Sequence, residues 1–183
     1  MRNKTMKSII FLDIDDVIAI DPSFTGITVY DALQNDWTAI GKDFWQQVFL
    51  AEAIKSLSLL HQRFFGQYVI SSSWSNYLTQ HQIKYAFERA GLDFIASNLH
   101  RHWRTPKSES PGRVSEIQNW ISKYSHKEQP ILIFDDQDSG WNLINSIFDN
   151  NKQLLICEPK VGFVSAKLET AIQLLAKQVD RNS

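Results

Sequence analysis

Residues Ser8 to Asp16 read SIIFLDIDD, and this stretch decides the fold. Ile9 to Leu12 form an unbroken apolar run, rich in β-branched and aromatic side chains, that stops abruptly at acids. A strand of an antiparallel sheet with one wet face would alternate apolar and polar residues. A continuous run bounded by polar residues is the pattern of a parallel strand buried on both faces. Three later stretches have the same character: Gln67–Ser71 (QYVIS), Pro130–Phe134 (PILIF, stopping at Asp135) and Gln153–Cys157. The short apolar segment Leu92–Ile95 is read as a further strand.

Amphipathic helices separate these runs. From Phe44 to about Phe65, Val48, Ala51, Ile54, Leu57 and His61 recur at the helical period, and Gly66 is a natural stop. A second helix is expected over Tyr77–Ala90, ending before Gly91. A third carries Val114, Ile117, Ile121 and Tyr124 on one face. Ser110 would be its cap, with Pro111 in the first turn. The last runs from about Val164 to Lys177. His100–Ser110 reads as polar and irregular, and Asp21–Lys42 as a loop or small flap over the end of the first strand. Strands alternating with helices imply an α/β domain, a doubly wound parallel sheet covered on both faces. One such domain, from about residue 6 to 178, accounts for the chain.

Bulk properties narrow the function classes. With 183 residues the chain can bury a substantial core in one domain. Its net charge of −1, without a long run of one sign, argues against a stable nucleic-acid binder but leaves room for an enzyme acting on a nucleic-acid end. Cys157 is the lone cysteine, which excludes an internal disulfide and a sulfur-rich zinc site; it reads as a small buried hydrophobe. The basic N-terminus before Ser8–Leu12 resembles a leader only faintly, because the apolar run is short and acids end it. No segment approaches the roughly 20 apolar residues that span a bilayer. A cytoplasmic protein without membrane contact is expected.

Ligands of open parallel sheets bind beyond the carboxyl ends of the strands. There the sequence places Asp13-Ile14-Asp15-Asp16, Ser71-Ser72-Ser73 and Asp135-Asp136. If the first strand stays extended through Asp15, Asp13 and Asp15 share one side of the chain. Carboxylates so close repel unless they share a cation or a proton. Mg²⁺, with its preference for a few carboxylates, waters and phosphate oxygens, suits the group. His100, Arg101, His102, Arg104 and Lys107 form a local basic patch, with Trp103 available to stack on a base. Two histidines alone make a poor zinc site. Trp45, Trp74, Trp120 and Trp141 are expected to be packing residues.

IIFLDIDDVIA resembles the first motif of the haloacid-dehalogenase-like hydrolases, a strand followed by Asp-x-Asp-Gly-Val. YVISSSW is similar to the second motif and ILIFDD to the fourth, in the family's order and across nearly the whole chain. The closer likeness is to small members with little or no cap, whose second motif reads Ser-Ser-x-Trp and in which a glycine, here Gly162, precedes the terminal helix. The resemblance implies a Rossmann-like sheet with strand order near 5-4-1-2-3 and a Mg²⁺-dependent phosphohydrolase working through an aspartyl-phosphate. Asp13 would be the nucleophile and Asp15 the acid and base. Asp13, the Asp15 carbonyl and Asp135 or Asp136 would hold the metal, and Ser72, with Ser71 as the alternative, would bind phosphate. The cation of the third motif falls to Arg113, in RVSEIQNWI, or to Lys107. Asp16 replaces the family's glycine, and Asp138 is either a supporting acid or a turn residue. A phosphorylated small molecule, a nucleotide or a phosphorylated nucleic-acid end would be the substrate. The alternative is a catalytically silent protein that binds or regulates, for which Asp16 and the open choice of cation are the grounds.

Overall fold

A computed structural model describes residues 7–34, 40–106, 112–126 and 128–181. Five strands form one parallel sheet in the order β3-β2-β1-β4-β5. They are β1 (Ile9–Leu12), β2 (Gln67–Ile70), β3 (Leu99–Arg104), β4 (Ile131–Asp136) and β5 (Leu154–Cys157). The order is the one the resemblance implied. β1 lies at the centre, pairing Phe11 with Val69 on one side and with Ile133 on the other. Every residue of β1 and β4 is buried, so their unbroken apolar runs reflect helices on both faces.

The two faces carry separate cores. On one, Ile10, Leu12, Tyr68, Ile70, Leu132 and Phe134 pack against Leu57, Leu60, Ala171 and Leu175. These side chains come from α3 (Ala51–Phe64) and α9 (Ser165–Arg181). On the other, Ile9, Phe11, Val69 and Ile133 meet Ile117 and Trp120 of α7 (Arg113–Tyr124). The Trp120 ring stands edge-on to Phe11, with centroids 5.2 Å apart, and its Nε1–H donates to the His102 carbonyl at 2.8 Å.

Several boundaries differ from the sequence reading, each for a local reason. The single helix expected from Phe44 is two, α2 (Lys42–Val48) and α3. Phe49 is extended between them, and the Leu50 N–H donates to the Ile18 carbonyl at 2.8 Å. The helix expected over Tyr77–Ala90 is likewise divided into α4 (Trp74–Tyr77) and α5 (Gln80–Ala90), because Thr79 and Gln82 form a capping box. Leu92–Ile95 is not a strand. Asp93–Ser97 is helix α6, and the third strand is the stretch read as irregular, Leu99–Arg104. An edge strand is half wet, so its side chains need not be apolar. His100 and His102 face α7, where His102 stacks on Tyr124 with ring centroids 3.7 Å apart. Within Asp21–Lys42, Gly26–Ala32 is helix α1. Gly112 is the N-cap of α7, while the expected cap Ser110, with Pro111, lies outside the described residues. α8 (Ile147–Asn150) lies between β4 and β5.

Trp45, Trp74 and Trp120 are fully buried, as expected of packing residues, but Trp141 is 70% exposed. It follows Gly140 on the loop after β4, and Leu143, two residues on, is the residue of this loop buried in the core beside α7. Cys157 is buried, and burial pushes its thiol up to about 12. Gly162 takes a left-handed φ of +75°, and a Cβ there would meet the Val17 carbonyl at 2.8 Å. No helix among the described residues is long and apolar enough to cross a membrane.

Trp120→Ala removes the ring that joins α7 to the sheet and to the edge strand. Urea unfolding is expected to show a loss of about 3–5 kcal/mol.

Candidate active site

Asp13 follows the last residue of β1, and its N–H donates to the Phe134 carbonyl of β4 at 3.0 Å. β1 ends at Leu12, sooner than expected, so Asp13 and Asp15 are not placed by strand alternation. A turn carries the chain from Asp13 to the bridge between Asp15 and Ala19. β4 runs on through Asp136, which places Asp135 and Asp136 at its buried end. Asp13, Asp135 and Asp136 each offer a carboxylate oxygen within 4.8 Å of the other two.

Arg113 joins this group from the first turn of α7. Its Nη2 lies 3.2 Å from Asp13 Oδ1 and its Nε 3.2 Å from Asp135 Oδ2. Burial works against the guanidinium charge, but Asp13, Asp135 and Glu116 more than offset it and keep Arg113 protonated. The Ser139 hydroxyl reaches the same acids, at 2.6 Å from Asp135 Oδ1, 2.5 Å from Asp136 Oδ2 and 3.3 Å from Asp13 Oδ2. It has one proton to give. Asp136 Oδ1 accepts the main-chain N–H groups of Asp138 and Ser139, at 2.6 and 3.0 Å.

Three carboxylates with one guanidinium and one hydroxyl proton leave a surplus of negative charge in a buried place. The titration of the group reflects it. Asp13 is held well above the usual carboxylate range by burial and by Asp135, against the opposing pull of Arg113. Asp135 is raised to about 6, again first by burial. Asp135 Oδ2 has no hydrogen-bond donor, since the Arg113 Nε–H is misaligned despite its closeness. A divalent cation would neutralise this surplus, and oxygen donors of this kind fit a hard ion such as Mg²⁺. Gly140 lets the loop close over the acids; a Cβ there would meet the Asp136 carbonyl at 2.7 Å and Asp135 Cγ at 2.8 Å.

Asp15 stands beside the cluster and is only partly buried. Trp74 Nε1 donates to its Oδ1 at 2.8 Å, and the Ser73 hydroxyl to its Oδ2 at 3.2 Å. Burial raises its pKa, with these two donors opposing. Ser72 is buried beside Asp13, where its hydroxyl favours the charged carboxylate, and it accepts the Trp74 N–H at 3.4 Å. The alternative, Ser71, is fully buried with its hydroxyl unpartnered, so Ser72 is the serine that meets the acids. Lys107 lies outside the described residues. Asp138 is exposed, and only its N–H enters the site.

Asp16 adopts a left-handed conformation, φ +54°, which glycine takes freely and aspartate tolerates better than most residues. Its Oδ1 accepts the Lys160 N–H at 2.6 Å. His100 and His102 belong to no metal-capable cluster among the described residues. Ser139, Trp74 and Ser73 are the contributors that sequence reasoning missed. Ser73 and Trp74 stood in plain view in the Ser-Ser-Ser-Trp run, while Ser139 had no signal beyond a hydroxyl four residues after Asp135.

A doubly wound parallel sheet with paired acids after its central strand and again on the neighbouring strand defines a haloacid-dehalogenase-like (HAD) hydrolase domain. Residues 9–168 match the family described as the HAD domain in Swiss Army Knife RNA repair proteins, and the chain belongs to that family. No curated protein and no solved structure matches it.

The raised acids make a sign-specific prediction. A carboxyl whose folded pKa exceeds its unfolded value of about 3.9 binds more protons when folded, so stability falls as pH rises through that window. For Asp135 the window runs from about 4 to about 6. The metal-free chain is therefore expected to melt at a lower temperature at pH 7.5 than at pH 5.5. Mg²⁺ should restore stability at pH 7.5, by about 2.7 kcal/mol at a hundredfold excess over its dissociation constant. Calorimetry across this grid checks both signs.

Proposed function

We propose that this chain is a Mg²⁺-dependent phosphomonoesterase acting on phosphorylated nucleic-acid ends. The observation that carries the reading is Asp13, buried at the end of the central strand with Arg113 on one oxygen and Ser139 on the other. Its substrate side is supported by the family, whose description refers to RNA repair.

In this reading Asp13 is the nucleophile. One of its oxygens attacks phosphorus and the ester P–O bond breaks, leaving an aspartyl-phosphate. Asp15 gives its proton to the departing oxygen, then takes one from the water that attacks the intermediate and releases phosphate. Trp74 and Ser73 hold the Asp15 carboxyl in place through both halves. Arg113 and Ser72 bind the phosphoryl oxygens, with Lys107 as a further candidate cation. Arg113 suits the role because its planar fork can make two parallel bonds to phosphate. Asp13, the Asp15 carbonyl, Asp135 and Asp136 would hold Mg²⁺. When bound, the ion neutralises charge and aligns the phosphate.

Two features support an active enzyme over a silent binding protein. Asp16 fits the left-handed turn and spends its carboxylate on the Lys160 N–H, and Arg113 lies beside Asp13, where a phosphate-binding cation would be needed.

Phosphate release from a panel of phosphorylated oligonucleotides, nucleotides and aryl phosphates, with and without Mg²⁺, tests the proposal. Metal-dependent turnover is expected, and Asp13→Asn should abolish it. Asp15→Asn should slow alkyl esters by about 10²–10⁴-fold. The defect should be smaller for p-nitrophenyl phosphate, whose leaving group needs no proton. Turnover that survives Asp13→Asn would sink the mechanism.

A further inference from the structure

β3 is the cationic edge of the sheet. Residues Leu99 to Thr105 read LHRHWRT, with two arginines, two histidines and no acid, in a chain of net charge −1. At the carboxyl ends of β2 and β3 lies a cavity of about 400 Å³ lined by Ser75, Asn76, Arg104, Thr105 and Pro106. Nothing in the phosphate-cleaving scheme uses it.

Two hydrogen bonds tie this cavity to Ser72. The Ser75 hydroxyl donates to the Ser72 carbonyl at 2.8 Å, and Arg104 Nη1 donates to the Ser75 carbonyl at 2.6 Å. The guanidinium also lies over the Trp103 ring, 5.3 Å from its centroid. Arg104 is thus held in place by one of its five N–H donors and by the indole face. No acidic side chain among the described residues forms an ion pair with it. β3 is two strands from β1, which puts the cavity roughly 10 Å from the end of the central strand along the same rim.

We propose that this cavity holds a second phosphate of the substrate, the phosphodiester neighbouring its phosphorylated end, with Arg104 as the anchor. The inference rests on the reading of Asp13 as the site of the terminal phosphate and extends it to a substrate class. The preferred substrate is a strand with at least two phosphates, and a mononucleotide fills only part of the site. A guanidinium fixed by a main-chain carbonyl and an aromatic ring, with polar neighbours and no ion-paired acid among the described residues, suits an internal phosphate. The contact belongs to substrate recognition and demands no broad basic surface.

The test measures binding to the full chain carrying Asp13→Asn, so that turnover does not intrude. Trinucleotides phosphorylated at the 5′ or the 3′ end are titrated with Mg²⁺ over a range of salt concentrations, beside the matching nucleoside monophosphates. One additional phosphate contact should steepen the plot of log affinity against log salt by about 0.7 for the trinucleotide. R104Q should remove that increment, and R104K, which keeps the charge, should retain it. Equal slopes for the two ligands, or an increment that survives R104Q, overturns the proposal. Loss in both variants alike also overturns it, because the bond to Ser75 and not the charge would then be responsible. Phosphate release by the chain with Asp13 intact is read separately. Its absence on every phosphorylated end sinks the proposed function, while the salt increment still decides whether the second phosphate site exists.

Discussion

The whole architecture is organised around a cost: three carboxylates buried together at the ends of two adjacent central strands. Carboxylates so close, with little water, repel strongly unless positive charge is shared among them. Arg113 bridges Asp13 and Asp135, Ser139 shares its proton among the three, and two main-chain N–H groups bind Asp136. These contacts reduce the repulsion without cancelling it, as the upward shifts of Asp13 and Asp135 show. A site held in this condition favours whatever brings positive charge.

The rest of the fold keeps those acids from moving apart. β1 and β4 are hydrogen-bonded neighbours in continuous register, so Asp13 and Asp135 are fixed by the sheet. α7 must deliver Arg113 to the same point, and Trp120 secures it by packing on Phe11 and bonding to the edge strand. On the opposite face, Trp74 is packed beneath α1, where a Cβ at Gly26 would come within 2.9 Å of the indole. The same indole donates to Asp15. Asp15 is therefore held directly by an aromatic side chain of one core, while Asp13 meets an arginine carried by a helix that an aromatic side chain of the other core secures.

Much of the fold was legible because buried parallel strands leave an unmistakable trace. IIFL, YVI and ILIF within these strands are apolar without interruption because helices cover both of their faces. The edge strand left no such trace. LHRHWR is only half covered, and its histidines pack through ring faces against Trp120 and Tyr124 instead of through aliphatic bulk. The breaks at Phe49 and Leu78 were hidden for a related reason, since periodicity continues across a turn that tertiary contacts impose. Within the site, Asp13, Asp15, Asp135 and Asp136 stood at strand ends and could be read directly. Ser139 could not, because a loop hydroxyl acquires a role only through the groups that surround it.

By itself the sequence determined the class of sheet, the strand ends at which chemistry gathers and the types of residue available there. These follow from local pattern, since burial on two faces and the abrupt change to acids are written into consecutive residues. Tertiary structure alone decided that Arg113 stands against Asp13, 100 positions away along the chain. It also decided that Ser72 lies beside Asp13 while the Ser71 hydroxyl is buried without a partner, and that Asp16 turns to the Lys160 N–H. Such choices depend on strand order and on the approach of a helix terminus, and no local pattern encodes a distance between residues that meet only when the sheet closes.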